Sequence, residues 1–107
     1  MRWYKHLYVG EKAKEKRFSI IQNIRLNRFQ LGVHVITPAS NDKNVLDIYP
    51  AAVLLENDHR ENDELLILGI GADYFETLEV VRMIVDDMYR ETGGFSLNEF
   101  LMKNEQR

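Results

Sequence analysis

Leu65-Leu66-Ile67-Leu68-Gly69-Ile70-Gly71-Ala72-Asp73-Tyr74-Phe75-Glu76 is the stretch whose reading decides the fold. Its first four residues form an unbroken apolar run, the pattern of a strand covered on both faces. Gly69-Ile70-Gly71-Ala72 then relaxes the backbone, and Asp73 stands where a helix needs a cap. Glu76, three residues on, can return its carboxylate to the orphan N–H groups of the first turn. The helix that follows repeats Phe75, Leu78, Val81, Val85 and Met88 at spacings of three and four, with Val80, Ile84 and Tyr89 widening the stripe. Glu79, Arg82, Asp86, Asp87, Arg90 and Glu91 supply its wet side. Arg90 in the last turn and Gly93 or Gly94 beyond it suit the helix end.

Working outward from that unit, Leu7-Tyr8-Val9 reads as a short strand ended by Gly10, and Trp3 and Tyr4 precede it at an edge of the sheet. Residues 11–30 predict the first long helix, in which Phe18, Ile21, Ile24 or Arg25, Arg28 and Leu31 trace a blurred stripe before Gly32. Residues 33–37 predict a strand, with His34 on the face opposite Val33 and Val35. Pro38-Ala39-Ser40-Asn41-Asp42-Lys43-Asn44 is a loop; residues 45–49 read as a return strand in preference to the alternative, an extended linker over Leu46-Asp47-Ile48. Pro50 suits the first turn of a short helix reaching about residue 56, and residues 57–64 a polar surface loop. Phe95, Leu97, Phe100, Leu101 and Met102 then predict one or two further packed turns, and residues 103–107 should fray. The resulting class is α+β: a small mixed sheet with two principal helices packed on it. Its order is β-α-β-β-(short α)-β-α with a C-terminal arm over 95–107, which admits a ferredoxin-like arrangement.

Composition narrows the function. A chain of 107 residues with 45% hydrophobic content holds one hydrophobic core, so residues 1–107 read as a single domain. The absence of cysteine excludes disulfides, a thiolate nucleophile and cysteine-ligated metal or iron–sulfur sites. No stretch approaches 18 consecutive apolar residues and the N-terminus lacks a secretory pattern, so the expected location is the cytoplasm and no membrane partner is expected. The net charge of −3 conceals a gradient. Residues 1–30 carry eight basic and two acidic side chains, a net +6, whereas residues 31–107 carry six and fifteen, a net −9. Such asymmetry can guide self-association or capture of an outside partner, although solvated charge on both regions is the simpler account.

Few residues point to chemistry. Glycines between a strand and a helix can cradle phosphate, which makes Gly69, Gly71, Ala72 and Asp73 a candidate small-molecule site. The third glycine of the dinucleotide fingerprint is replaced by Tyr74, and Asp73 and Glu76 would repel an anion, so ordinary strand-to-helix geometry is preferred. Asp58-His59 near Glu61, Asp63 and Glu64 has ligand chemistry without ligand spacing, and no metal or cofactor is expected. Ser19, Ser40 and Ser96 lie in no nucleophile pattern, and no catalytic residue is assigned. Lys12, Lys16 and Arg17, joined by Arg25 and Arg28, form the one candidate footprint for nucleic acid or an acidic partner. Trp3, Tyr4, Phe95 and Phe100 are candidate interface aromatics.

Trp3-Tyr4-Lys5-His6-Leu7-Tyr8-Val9-Gly10, Leu46-Asp47-Ile48-Tyr49-Pro50 and Tyr89-Arg90-Glu91-Thr92-Gly93-Gly94-Phe95 resemble stretches of a family of small bacterial proteins with no assigned function. That resemblance implies a bacterial cytoplasmic source and transfers no catalytic residue. The leading expectation is a small interaction protein that forms a homodimer or binds another protein. Nucleic-acid or acidic-partner binding through the basic helix comes second, and a small-molecule or enzyme site at residues 69–73 third.

Overall fold

The computed structural model describes residues 1–55 and 65–105, and the Asp58–His59 cluster lies outside them. Along the chain come β1 (Arg2–Val9), α1 (Glu11–Lys14), α2 (Arg17–Arg25), β2 (His34–Pro38), β3 (Leu46–Pro50) and a 3-10 helix (Ala51–Leu55). β4 (Leu66–Gly71), α3 (Tyr74–Thr92) and α4 (Leu97–Glu105) complete the described elements. The four strands form one mixed sheet in the order β1-β4-β2-β3. β2 and β3 make the expected antiparallel hairpin, from His34 opposite Pro50 to Pro38 opposite Leu46. β4 inserts between β2, which it meets antiparallel, and β1, which it meets parallel. That parallel pair, with helices on both faces, gives this α+β sheet a plan different from an all-antiparallel ferredoxin-like sheet covered on one face.

The hydrophobic core, expected as one, is divided by the sheet into two clusters on its opposite faces. Ala13, Ile20, Ile24 and Leu54 cover one face, meeting Val9, Val35, Ile67 and Ile70. α3 and α4 cover the other, where Val80, Ile84, Met88 and Phe100 meet Ile36 and Leu68. The central position of β4 explains its apolar run: Ile67, Leu68 and Ile70 are all essentially inaccessible. β1 alternates accordingly, Trp3 and Leu7 packing on the first core, Tyr4 and Tyr8 on the second. Its register against β4 shifts between Trp3–Ile67 and Tyr8–Gly69, an irregularity of the kind that re-aims side chains at a sheet edge.

Several expectations change on this scaffold. The glycines after Leu68 do not form a loop; Gly69 and Gly71 lie inside β4, opposite Ile36 and His34. They are there because α3 packs close. A Cβ on Gly71 would stand 2.1 Å from Thr77 Oγ1 and 2.9 Å from the Thr77 backbone nitrogen, and one on Gly69 3.2 Å from Val80 Cγ1. The same close contact rotates α3, so its buried seam is Thr77, Val80, Ile84 and Met88. Phe75 and Tyr89, expected on the inner stripe, face outward, while Val81 and Val85 are half-buried. Gly71→Ala should therefore destabilise the fold by about 1–3 kcal/mol through overpacking against helix backbone. Gly94→Ala, whose new Cβ meets nothing within 4 Å, is the control in urea titrations. Equal midpoints for the two variants would refute the close-packing account.

The helix expected over 11–30 is two shorter helices. α1 ends after one turn, and α2 stops at Arg25, with Asn27 beyond it in the left-handed region at φ 57°. Asparagine tolerates that geometry better than most side chains. The break turns Ile20 and Ile24 inward and leaves Phe18 and Leu31, both assigned to the stripe, exposed. Pro50 ends β3 at an exposed position rather than opening a helix, and Ala51–Leu55 turns as a 3-10 helix instead. The C-terminal arm forms α4, which packs on α3 through Phe100 and Leu97. Helix continues through Lys103 to Glu105 where fraying was expected.

Candidate functional site

The parallel pairing of β1 and β4 brings two strand ends together, at Val9-Gly10 and Gly71-Ala72. From there α1 joins the helices on one face of the sheet and α3 those on the other. Such a divergence opens a crevice beyond the carboxyl ends of the strands, where ligands of open α/β sheets bind. Here the crevice becomes an open groove of about 610 Å³ between the start of α1 and the flank of α3. Gly10, Glu11 and Lys12 form one wall, and Phe75, Leu78, Val80 and Met83 the other.

Its inner end is closed by the protein itself. Glu76 reaches from the first turn of α3 across to α1 and accepts backbone N–H bonds from Lys12 at 2.6 Å and Ala13 at 3.2 Å. It also accepts the Ala72 N–H at 2.9 Å. A carboxylate thus occupies the place where two converging helix starts would hold an anion. A Cβ on Gly10 would lie 2.2 Å from Glu76 Oε1, so any larger residue there would have to displace the Glu76 side chain. Asp73 caps α3 as expected, accepting the Glu76 N–H at 2.8 Å, and pairs with Lys12 Nζ at 3.0 Å. The Glu76 N–H first, and the Lys12 ammonium second, hold the Asp73 carboxyl below its ordinary range. Asp73 in turn raises the Lys12 ammonium.

Of the candidate small-molecule residues, Gly69 and Gly71 therefore face Val80 and Thr77, Ala72 donates to Glu76, and Asp73 is held by α3 and Lys12. The groove runs past them. Its outer wall is the feature that sequence reasoning missed: Phe75 is 78% exposed, Leu78 41% and Met83 48%. An amphipathic helix normally buries residues of this size against its own core. The apolar stripe expected from the sequence contains Phe75 and Leu78 but not Met83, and it is too broad for one buried face.

The basic and aromatic candidates separate. Lys12 is committed to Asp73, and the Arg25 guanidinium lies 5.8 Å from the Trp3 ring centroid. Lys16, Arg17 and Arg28 are exposed and enter none of the ion pairs among the described residues. Trp3 and Tyr4 are half-buried on opposite faces of β1, so they do not form one aromatic patch. Phe95 is exposed and lies against Tyr89, with ring centroids 5.5 Å apart. Phe100, offered as an interface aromatic, is 2% exposed within its own core, because α4 folds back onto α3.

One further polar contact joins β1 to α3. The Tyr8 hydroxyl donates to Asp87, which also accepts from Arg90 at 2.8 Å. Burial first, and this hydrogen bond second, push the Tyr8 phenol far above its ordinary range, so it remains a neutral donor. Asp87, expected on the wet face with Asp86, is thereby part of the packing. Among the described residues no three His, Asp or Glu side chains gather as metal ligands, and no helix is long and apolar enough to cross a membrane. Comparison with protein-family models finds no match, nor does comparison with curated proteins or with solved structures.

Proposed function

We propose that the protein is an interaction domain that docks another protein surface along the outer wall of the groove. The carrying observation is the exposed set Phe75, Leu78 and Met83, set on a rigid helix whose opposite seam is fully buried. Apolar and aromatic side chains held on a rigid element lose little freedom on binding and suit the desolvated centre of an interface. Glu11, Lys12 and Glu79 provide a polar rim. The groove has Glu76 and Asp73 already engaged in backbone hydrogen bonds, which favours docking over small-molecule chemistry at the glycines. A bacterial cytoplasmic setting for this interaction is part of the same proposal.

Replacing Phe75 and Leu78 together by serine should leave stability within roughly 0.5 kcal/mol, as for surface substitutions away from buried features. The same double variant should abolish retention of partner protein. The measurement compares proteins held from host-cell extract by immobilised wild-type chain and by the folded variant. Equal retention would remove this face as the docking surface.

A further inference from the structure

We infer that the partner at this groove is a second copy of the chain, which supplies the basic, aromatic start of α2. This rests on the docking reading above and names its occupant. Phe18 is 87% exposed, although it belongs to a helix that buries Ile20 and Ile24. Lys16 and Arg17 immediately precede it, both exposed and outside the ion pairs among the described residues. The groove offers the complement: the apolar wall of Phe75, Leu78 and Met83, lined also by Glu11 and Glu79, with the Lys12 ammonium on the rim already paired with Asp73. Among the described residues those two carboxylates hold only exposed pairs within their own helices, Glu11 with Lys14 and Glu79 with Arg82. Such pairs contribute little and exchange readily for a new cation.

The chain's charge gradient thereby acquires a geometric meaning. The basic N-terminal region carries one docking face, and residues 73–83 of the acidic remainder carry most of the other, with Glu11 added from the basic region. α1 supplies Glu11 to the groove and leads directly into α2, so the two faces are close along the chain. A twofold axis would then use each contact twice, with Phe18 of either copy entering the groove of the other.

Two charge-reversed full-length chains test this. K16E/R17E makes the α2 face acidic, and E11K/E79K makes the groove rim basic. Acidic residues suit a helix N-terminus, so the first variant should fold normally, and far-UV circular dichroism checks both. Sedimentation equilibrium should show wild-type dimer. Each variant alone should associate about 100-fold more weakly, since each of its homodimers places like charges together twice. An equimolar mixture should recover association, because every contact in the mixed dimer is again complementary.

Wild type that stays monomeric at every concentration overturns the inference, as do variants that dimerise undisturbed or a mixture that fails to associate. Any of these results combined with retention of a different protein through Phe75 and Leu78 would leave the docking face standing and change only its occupant. A monomer that binds a single-stranded oligonucleotide through Lys16 and Arg17 would also overturn the inference and reassign the α2 face to nucleic acid.

Discussion

Phe100→Ala is expected to destabilise the protein by about 3–5 kcal/mol, the usual cost of truncating a buried aromatic side chain to a methyl group. Phe100 is 2% exposed and packs with Ile36, Leu68, Val80, Ile84 and Met88 on the α3 side of the sheet. Its removal would leave a cavity that the central strand and α3 cannot close, because Gly69 and Gly71 already bring them into contact. Polar contacts also tie α4 down. Asn104 donates to the Phe100 carbonyl at 2.8 Å and to Glu91 at 3.2 Å, and Lys103 donates to the Glu91 carbonyl at 2.7 Å. These bonds limit relaxation, so the cavity persists. A domain of this size has roughly 5–15 kcal/mol of total stability, and the loss should be plain in a urea titration. Met102→Ala, at an exposed position of the same helix, should shift stability by no more than about 0.5 kcal/mol. A comparable cost at both positions would refute the packing account of Phe100, because alanine favours helix at either position.

The contrast between Phe100 and Phe95 shows how far the sequence could be read. Both are aromatic residues after the glycines that end α3, and pattern alone offered both as interface candidates. Their separation depends on α4 folding back over the second core, a tertiary event without a local signal. Features whose physics is local are legible: the Asp73 cap, a glycine stop at Gly93 or Gly94 that falls at Gly93 with φ 76°, the β2–β3 hairpin and the doubly covered β4. Orientation about the α3 axis is not. A stripe that includes Phe75, Leu78, Val80, Val81, Ile84, Val85 and Met88 is too broad to assign one inner face, and only the close contact of Thr77 with Gly71 settles it. The docking wall became visible with that rotation. The first helix differs from its sequence pattern for a related reason. Lysine, glutamate and arginine favour helix without specifying where it stops, and the break lets both Ala13 and Ile20 reach the core.

Glu76→Ala should cost about 2–3 kcal/mol, more than a surface carboxylate ordinarily contributes. The side chain satisfies the N–H groups of Lys12, Ala13 and Ala72, and these carry unequal weight. The Lys12 contact is exposed, so water can replace the carboxylate there; the Ala13 and Ala72 contacts are part-buried, and most of the loss falls on them. A cycle with Gly10→Ala isolates this arrangement. Gly10 has an extended backbone at φ −64°, which alanine can adopt without strain, so the penalty of that substitution comes from its collision with Glu76. In a Glu76→Ala background the collision partner is gone, and Gly10→Ala should become nearly neutral. The coupling should then be about 1–3 kcal/mol in chemical denaturation, as for residues in direct contact. Acetate gives a second readout. If the N–H groups of α1 and Ala72 form an anion cradle normally filled by Glu76, millimolar acetate should raise the melting temperature of Glu76→Ala and leave wild type unchanged. Additive single effects together with no response to acetate would show that Glu76 acts only as a local capping residue of α3. The groove would then lose the contact that fixes α1 against α3 and keeps its two walls at their present separation.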